Sequence, residues 1–442
     1  MGPGENPEWL ERGLREAMFL DARGIIESLY NDRDILPDAE PALALETCHP
    51  ERPVNVHTLF GTICLKRRYF HHPPSKTGRA PLDETLGLEG GYSPALARIV
   101  CRAASTIPSF QQGAAELAEL AAIQVNARQF GRLAGALAPG LENALATMES
   151  PPDAGRKQDP VPVLYVECDG TGTPMRKEAL AGRPGKQEDG SAKTREAKLG
   201  CVFTQSGTDK EGKPMRDPAS TSYVGTYRGC RDIAVLLRQE AMRRGLGRAR
   251  QVVCLGDGAA WIWKNFQSTF PGAVQILDYY HASEYVVDMA AAIHGEDKEK
   301  AEALHTRWRR SMKESSPEAL LAEARCLLDA HPEWSEEKRT AIESKISYLQ
   351  SHAGRTRYGE YRAKGYFIGS GVIEAGCKTV VGARLKASGM FWSEAGAQNI
   401  LGLRCLVLGP HFDPAWRTRR KLLVQERRKA RRWLPDETSK AA

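Results

Sequence analysis

The chain has 442 residues, 41% of them hydrophobic and 26% charged, with a formal net charge of +7 and an isoelectric point of about 8.8. These are ordinary globular proportions, enough for a sizeable core in two to four domains of roughly 100–200 residues each, and the mild basic excess is compatible with a polyanionic partner. No stretch approaches the ~18 apolar residues of a membrane span, and the opening MGPGENPEWLERGL lacks the basic-then-apolar pattern of a secretory signal.

The ten cysteines include no Cys-x-x-Cys pair, so no zinc ribbon is read from their spacing. Free thiols suit a reduced, cytoplasmic setting. Residues 1–45 read as helical, with Trp9, Leu10, Leu14 and Met18 on one face. Residues 53–70 alternate β-branched and aromatic residues around Gly61, which predicts a hairpin. Residues 93–137 read as three short helices. Ser93 before Pro94 is one cap, Ser109 with Gln112 a second, and Asn126 a third. Two short helices, a tight turn and a last helix bearing Arg128, Gln129 and Arg132 resemble a helix-turn-helix that reads DNA. A plain helical bundle with solvated arginines fits the same pattern.

Residues 150–160 are rich in Pro, Gly and charge and read as a linker. From 161 the pattern is α/β. Strands are expected in VPVLYVECDG, ending at Asp169, then in KLGCVFTQS and STSYVGTY. A helix follows in CRDIAVLLRQEAMRRGL, a strand in QVVCLGDG ending at Asp257, and another in AVQILDYYH ending near Asp278. That order predicts a mixed sheet. Residues 283–350 are helical and charged, as an insertion, and SGVIEAGCKTVVGARL at 370–385 returns as a helix. The tail 417–432 has nine Lys/Arg and one acid, with Arg419, Arg420 and Lys421 as phosphate contacts. The expected division is 1–52, 53–150, 151–410 with an insertion at about 283–366, and 411–442.

Parallel and mixed sheets present functional groups at the carboxyl ends of their strands. Asp169 and Asp257 each leave an apolar run beside glycines too small to cover them. Singly, each reads as a cap for the next helix; together in one domain they point to a shared metal site. Glu374, in the first turn after Gly369, Ser370 and Gly371, is the expected third ligand. A dipole role, or an ion pair with Lys378, is the plainer alternative. Carboxylates alone select hard cations, magnesium or manganese, and phosphoryl transfer on DNA commonly uses two ions about 3.5–4 Å apart. Lys378, Arg384 and Lys386 would then line that face with phosphate contacts. Asp278 and His281, spaced Asp-x-x-His, are expected beside the metal site or as ordinary structural residues. Trp261, Trp263, Trp308 and Trp334 read as packing residues.

The blocks CDGTGTPMRKEALAGRPGKQEDGSAKTREAKLGCVFTQ, GDGAAWIW, FPGAVQILDYYHASEYV and GSGVIEAGCKTVVGARLKASGMFWSEAGAQNILGLRC resemble the ISKra-type insertion-sequence transposases, over about 54–410. The resemblance implies an RNase H-like catalytic fold with a helical insertion before the last acidic helix, preceded by a mainly helical DNA-binding region with a small hairpin. It implies an Asp–Asp–Glu triad at Asp169, Asp257 and Glu374. The related Mutator-like and ISL-type transposases carry a Cys/Asp-x-x-His signature, which Asp278 and His281 match. Many relatives carry paired cysteines after the hairpin; here RRYFHHPPSKTGRAPLDETLGL has His71 and His72 but no cysteine, so no zinc is expected.

The expected function is a transposase that cuts at element ends and joins them to target DNA, with DNA as partner, as a homo-oligomer on DNA. The acids alone do not separate this from a hydrolytic nuclease on the same scaffold, from a domesticated DNA-binding repressor, or from a protein acting with an accessory partner or guide.

Overall fold

The computed structural model describes residues 7–43, 45–148, 161–185 and 192–432, with side chains to 426. The expected linker at 150–160 lies outside them. The chain divides into two compact units, Met1–Leu145 with Phe412–Ala442, and Ala146–His411.

The first unit opens with α1 (Pro7–Asn31). The expected helix over 1–45 stops there for a local reason. The Asp32 carboxylate accepts the backbone N–H groups of Asp34 and Ile35 at 2.9 and 3.3 Å, folding the chain into a turn that competes with the helix. The apolar stripe of α1 is exposed, with Trp9 at 53%, Leu14 at 62% and Met18 at 63%. Strands β1 (Thr47–Thr58) and β2 (Gly61–His72) pair antiparallel, and β3 (Thr77–Arg79) adds to β2. The hairpin turns at Gly61, whose φ of +112° suits glycine. Val56, Ile63, Leu65 and Leu82 form a small core beneath it. Then come α2 (Pro81–Leu86), α3 (Pro94–Thr106), α4 (Phe110–Ala121) and α5 (Ala127–Thr147). Ser93 caps α3 by accepting from Leu96 N, and Ser109 caps α4 by accepting from Gln112 N.

In the second unit the described residues form a five-stranded mixed sheet, ordered β10-β9-β4-β5-β8. Strand β4 (Val161–Pro174), a short α6 (Lys177–Leu180), β5 (Thr194–Gln205), a small hairpin of β6 (Gly207–Thr208) and β7 (Pro214–Met215), and β8 (Ser222–Thr226) come first. β4, β5 and β8 pair antiparallel. Helix α7 (Cys230–Arg243) then crosses to β9 (Ala249–Gly256), and α8 (Ala260–Thr269) to β10 (Val274–Leu277); β9 lies parallel to β4, and β10 to β9. Nearly continuous apolar runs make β4, β5 and β9 central strands buried on both faces.

A helical block follows: α9 (Tyr279–His294), α10 (Lys298–Glu314), α11 (Glu318–Ala330), α12 (Glu336–Ser351) and α13 (Tyr358–Ala363). The chain returns to the sheet through α14 (Gly371–Gly376), a π-helical turn (Cys377–Gly382), α15 (Ala383–Leu385) and α16 (Glu394–Leu408). The last helix, α17 (Phe412–Arg432), belongs to the first unit. No helix among the described residues is long and apolar enough to cross a membrane.

Candidate active site

Asp169 and Asp257 are brought level by strand register. Along the parallel β4–β9 ladder each residue pairs with one 88 positions later, Glu167 with Leu255 for example, and Asp257 follows Asp169 by the same 88. The ladder's last pair lies two residues before both acids, so its register directs Asp169 and Asp257 to the same end of the paired strands. β4 was expected to stop at Asp169; it runs on to Pro174, because β5 keeps pairing with it as far as Thr194. Asp169 therefore sits where β4 loses its parallel neighbour and keeps its antiparallel one.

Both aspartates accept hydrogen bonds from neutral donors. Asp169 Oδ1 accepts from Gly170 N at 2.6 Å and Oδ2 from the Cys377 thiol at 3.3 Å. Asp257 Oδ1 accepts from Ala259 N at 3.0 Å. Burial raises the Asp169 pKa, the two hydrogen bonds oppose it, and the charges of Asp257 and Glu374 raise it further. Asp169 thus feels both of the other acids.

Glu374 projects, exposed, from the first turn of α14. That turn is held by two buried carboxylates. Glu167, fully buried on β4 and two residues before Asp169, accepts the backbone N–H of Ile373 at 2.8 Å. Residues two apart on a strand share a face, so Glu167 and Asp169 both face this helix. Burial pushes Glu167 up to about 8; the Ile373 N–H and the Cys201 thiol offset part of this, and Asp278 and Glu374 add to it. The second carboxylate is Asp278, 1% exposed after β10. Its Oδ1 accepts His281 N at 2.6 Å, capping α9, and its Oδ2 accepts both Ser370 N at 2.5 Å and Ser370 Oγ at 2.9 Å. Ser370 Oγ also lies 3.1 Å from Glu374 Oε1. Helix N-termini carry unsatisfied N–H groups, and here acids from the sheet satisfy them.

The other expected residues divide. His281 contributes its backbone N–H to Asp278, while its ring stands 3.4 Å from Glu284. Lys386 donates to the Thr171 hydroxyl beside Asp169. Lys378 is exposed; among the described residues Glu374 bonds Ser370 rather than Lys378. Arg384, expected to face phosphate, is 1% exposed, its guanidinium 5.1 Å from the Trp392 ring. The π-helical turn shifts the phase of the helix after Cys377, and burial, with the nearby Arg404 charge, lowers its pKa to about 10. In the first unit Arg128 and Arg132 are exposed, whereas Gln129 exchanges hydrogen bonds with Asn126 at the start of α5. Arg419 pairs with Glu89 at 2.5 and 3.1 Å; Arg420 and Lys421 are exposed.

Glu167, Cys377 and Tyr348 were not picked out from the sequence, and Ser370 only as a mark of the helix start. Tyr348, on α12, donates to the Asp257 carbonyl at 3.3 Å. The only sequence signal was a charged Glu167 inside an apolar strand.

Three carboxylates, Glu374 exposed and Asp169 and Asp257 half-buried, suit a hard cation, whose charge would offset the burial and the repulsion that raise Asp169. In the arrangement seen, no three His, Cys, Asp or Glu side chains among the described residues converge closely enough to hold an ion. Asp169 is turned to Cys377 and Glu374 to Ser370, so ligation requires these side chains to turn inward.

The model of a family described as "Uncharacterised protein family (UPF0236)" matches residues 46–411. The chain belongs to UPF0236. The matched span takes in both aspartates, Glu374 and the buried acids that hold α14. No curated protein matches this UPF0236 chain significantly. Among solved structures it is similar to the Drosophila P element transposase strand transfer complex, at 10% identity and a TM-score of 0.31, over 70% of this chain and 90% of that one.

Proposed function

We propose that this chain is a metal-dependent DNA transposase of the ISKra type, with Asp169, Asp257 and Glu374 as its catalytic acids on an RNase H-like domain. The observation that carries this reading is the β4–β9 register, which brings Asp169 and Asp257 to one end of the ladder, together with an exposed glutamate on a helix whose start buried acids hold in place. Three antiparallel strands, two parallel ones and a helical block before the acidic helix agree with the fold that the sequence resemblance implies.

In this reading Asp169, Asp257 and Glu374 would hold divalent cations such as magnesium or manganese, which would supply charge compensation to the reacting phosphate. Lys386, anchored on Thr171, meets the phosphate that enters beside Asp169. Water attacks a phosphodiester at the element's end, leaving a 3′-hydroxyl and a 5′-phosphate. The 3′-hydroxyl then attacks a target phosphodiester, releasing a target 3′-hydroxyl. Exposed Arg128, Arg132, Lys378, Arg420 and Lys421 hold the DNA backbone, and the protein works as a homo-oligomer on the two ends.

Asp169→Asn tests it. Cleavage of DNA carrying the sequences that flank the gene is expected to fall by at least a thousandfold, with DNA affinity near normal; cleavage at the wild-type rate sinks the assignment. A strand-transfer assay with precut 3′-hydroxyl ends separates a transposase, which joins them, from a nuclease that only hydrolyses.

A further inference from the structure

We infer that Asp278 is a positioning residue for Glu374, acting through Ser370. The inference rests on the reading of Glu374 as a cation ligand.

Asp278 does more than cap its own helix. A cap needs one carboxylate oxygen, and Oδ1 serves it by accepting His281 N. Oδ2 faces the other way, to Ser370, 92 residues along the chain, and takes both its backbone N–H and its hydroxyl. Among the described residues no Lys, Arg or His side chain pairs with this buried carboxylate, so N–H and O–H donors alone hold it. Glu374 depends on the same serine twice. Its backbone N–H donates to the Ser370 carbonyl at 3.1 Å, and its Oε1 lies 3.1 Å from Ser370 Oγ.

A serine hydroxyl has one proton. Two carboxylate oxygens, on Asp278 and Glu374, stand within bonding distance of it, and it serves one at a time. While the hydroxyl serves Glu374, that carboxylate is held toward the protein. When the hydroxyl serves Asp278, Glu374 is released to turn toward Asp169 and Asp257. Throughout, the Ser370 N–H keeps the start of α14 on Asp278. Asp278 therefore fixes where Glu374 begins and offers the second acceptor that lets it go. Asparagine cannot replace it, because an amide NH₂ would face one of the two N–H groups that the carboxylate accepts.

The test uses the full-length protein and manganese alone as the probe, titrated by calorimetry and by the EPR signal of free Mn²⁺, on Asp278→Asn, Ser370→Ala, Ser370→Thr and, as reference, Asp169→Asn. Loss of a partner that orients a ligand typically weakens metal binding by about 10–100-fold. That loss is expected for Asp278→Asn, with kcat reduced, the KM for DNA unchanged, and activity partly restored by more manganese. Ser370→Ala removes the hydroxyl that holds Glu374 toward the protein but keeps the backbone N–H on Asp278, so it should bind manganese more tightly than wild type, and Ser370→Thr, which keeps the hydroxyl, should return to the wild-type affinity. A folded Asp278→Asn that binds manganese like wild type, while Asp169→Asn does not, overturns the positioning role and leaves the acids as ligands. Wild-type affinity in Asp169→Asn overturns the ligand reading and the positioning role with it. If Asp278→Asn does not fold, Ser370→Ala decides: manganese affinity at or below the wild-type value in that variant overturns the inference.

Discussion

Glu240 illustrates what a buried carboxylate needs at neutral pH. It is 0% exposed on α7, and its oxygens meet His411 Nε2 at 2.7 Å, Arg243 at 3.0 Å and Arg244 at 3.6 Å. Burial alone would raise its pKa; the His411 hydrogen bond and charge, with Ser222 and Arg243, outweigh burial and lower it below the ordinary 4.5. A carboxylate whose folded pKa is depressed stabilises the fold above its unfolded pKa, and that stability is lost as pH falls through the folded value. Glu240→Gln is expected to cost about 3–5 kcal/mol at pH 7, since breaking a buried pair strands its cations. The gap between variant and wild type should narrow in urea unfolding series taken below pH 4.5. A gap that stays constant with pH contradicts this account.

At the scale of elements, the strands leading to Asp169 and Asp257 were legible because each aspartate follows an apolar run, and the start of the helix that carries Glu374 because glycines and a serine precede it. The supports were not, because their partners are remote in sequence. Glu167 meets Ile373 across 206 positions and Asp278 meets Ser370 across 92, distances over which one sequence carries no pattern. The same holds for Arg384. Its charge reads as a surface residue until the π-helical turn rotates it inward, where Arg404 donates to the Thr379 and Val380 carbonyls of that turn; such turns often mark functional sites. Caps such as Ser93 and Ser109 were legible because donor and acceptor lie three residues apart.

The loop after β9 ties the sheet to the helical block. Gly258 has φ +102°, and a Cβ there would lie 2.1 Å from the Tyr348 hydroxyl oxygen. Gly258→Ala is expected to cost about 1–3 kcal/mol from backbone strain and to push Tyr348 off the Asp257 carbonyl. Tyr348→Phe removes only that hydrogen bond, so its loss of cleavage should be smaller, as side-by-side melting curves and rate measurements will show. Equal losses would mean that the glycine's conformation does not matter.

Across the whole molecule, the proposed function implies that the exposed basic residues set how DNA binding responds to salt. Each phosphate contact contributes about −0.9 to the slope of log K against log salt. Replacing Arg420 and Lys421 with glutamine is expected to make the slope shallower by about 2, measured by anisotropy on one duplex. Arg419→Gln should leave the slope unchanged and lower the unfolding midpoint instead, because Arg419 is committed to Glu89. A slope change for Arg419→Gln as large as for its neighbours would refute that division of labour.

The helical block leaves and rejoins the sheet at one doorway, where Tyr279 N donates to the Ile368 carbonyl at 2.8 Å and Asp278 grips Ser370, and touches it again through Tyr348 and Tyr358. Everything between is a loop whose ends are pinned together. Closing such a loop costs only about (3/2)RT ln n, so doubling its length adds roughly 0.6 kcal/mol. Natural variation can therefore lengthen or trim the parts of this appendage that do not touch the sheet, as tools are changed on a fixed spindle, while the doorway keeps the start of α14 in place.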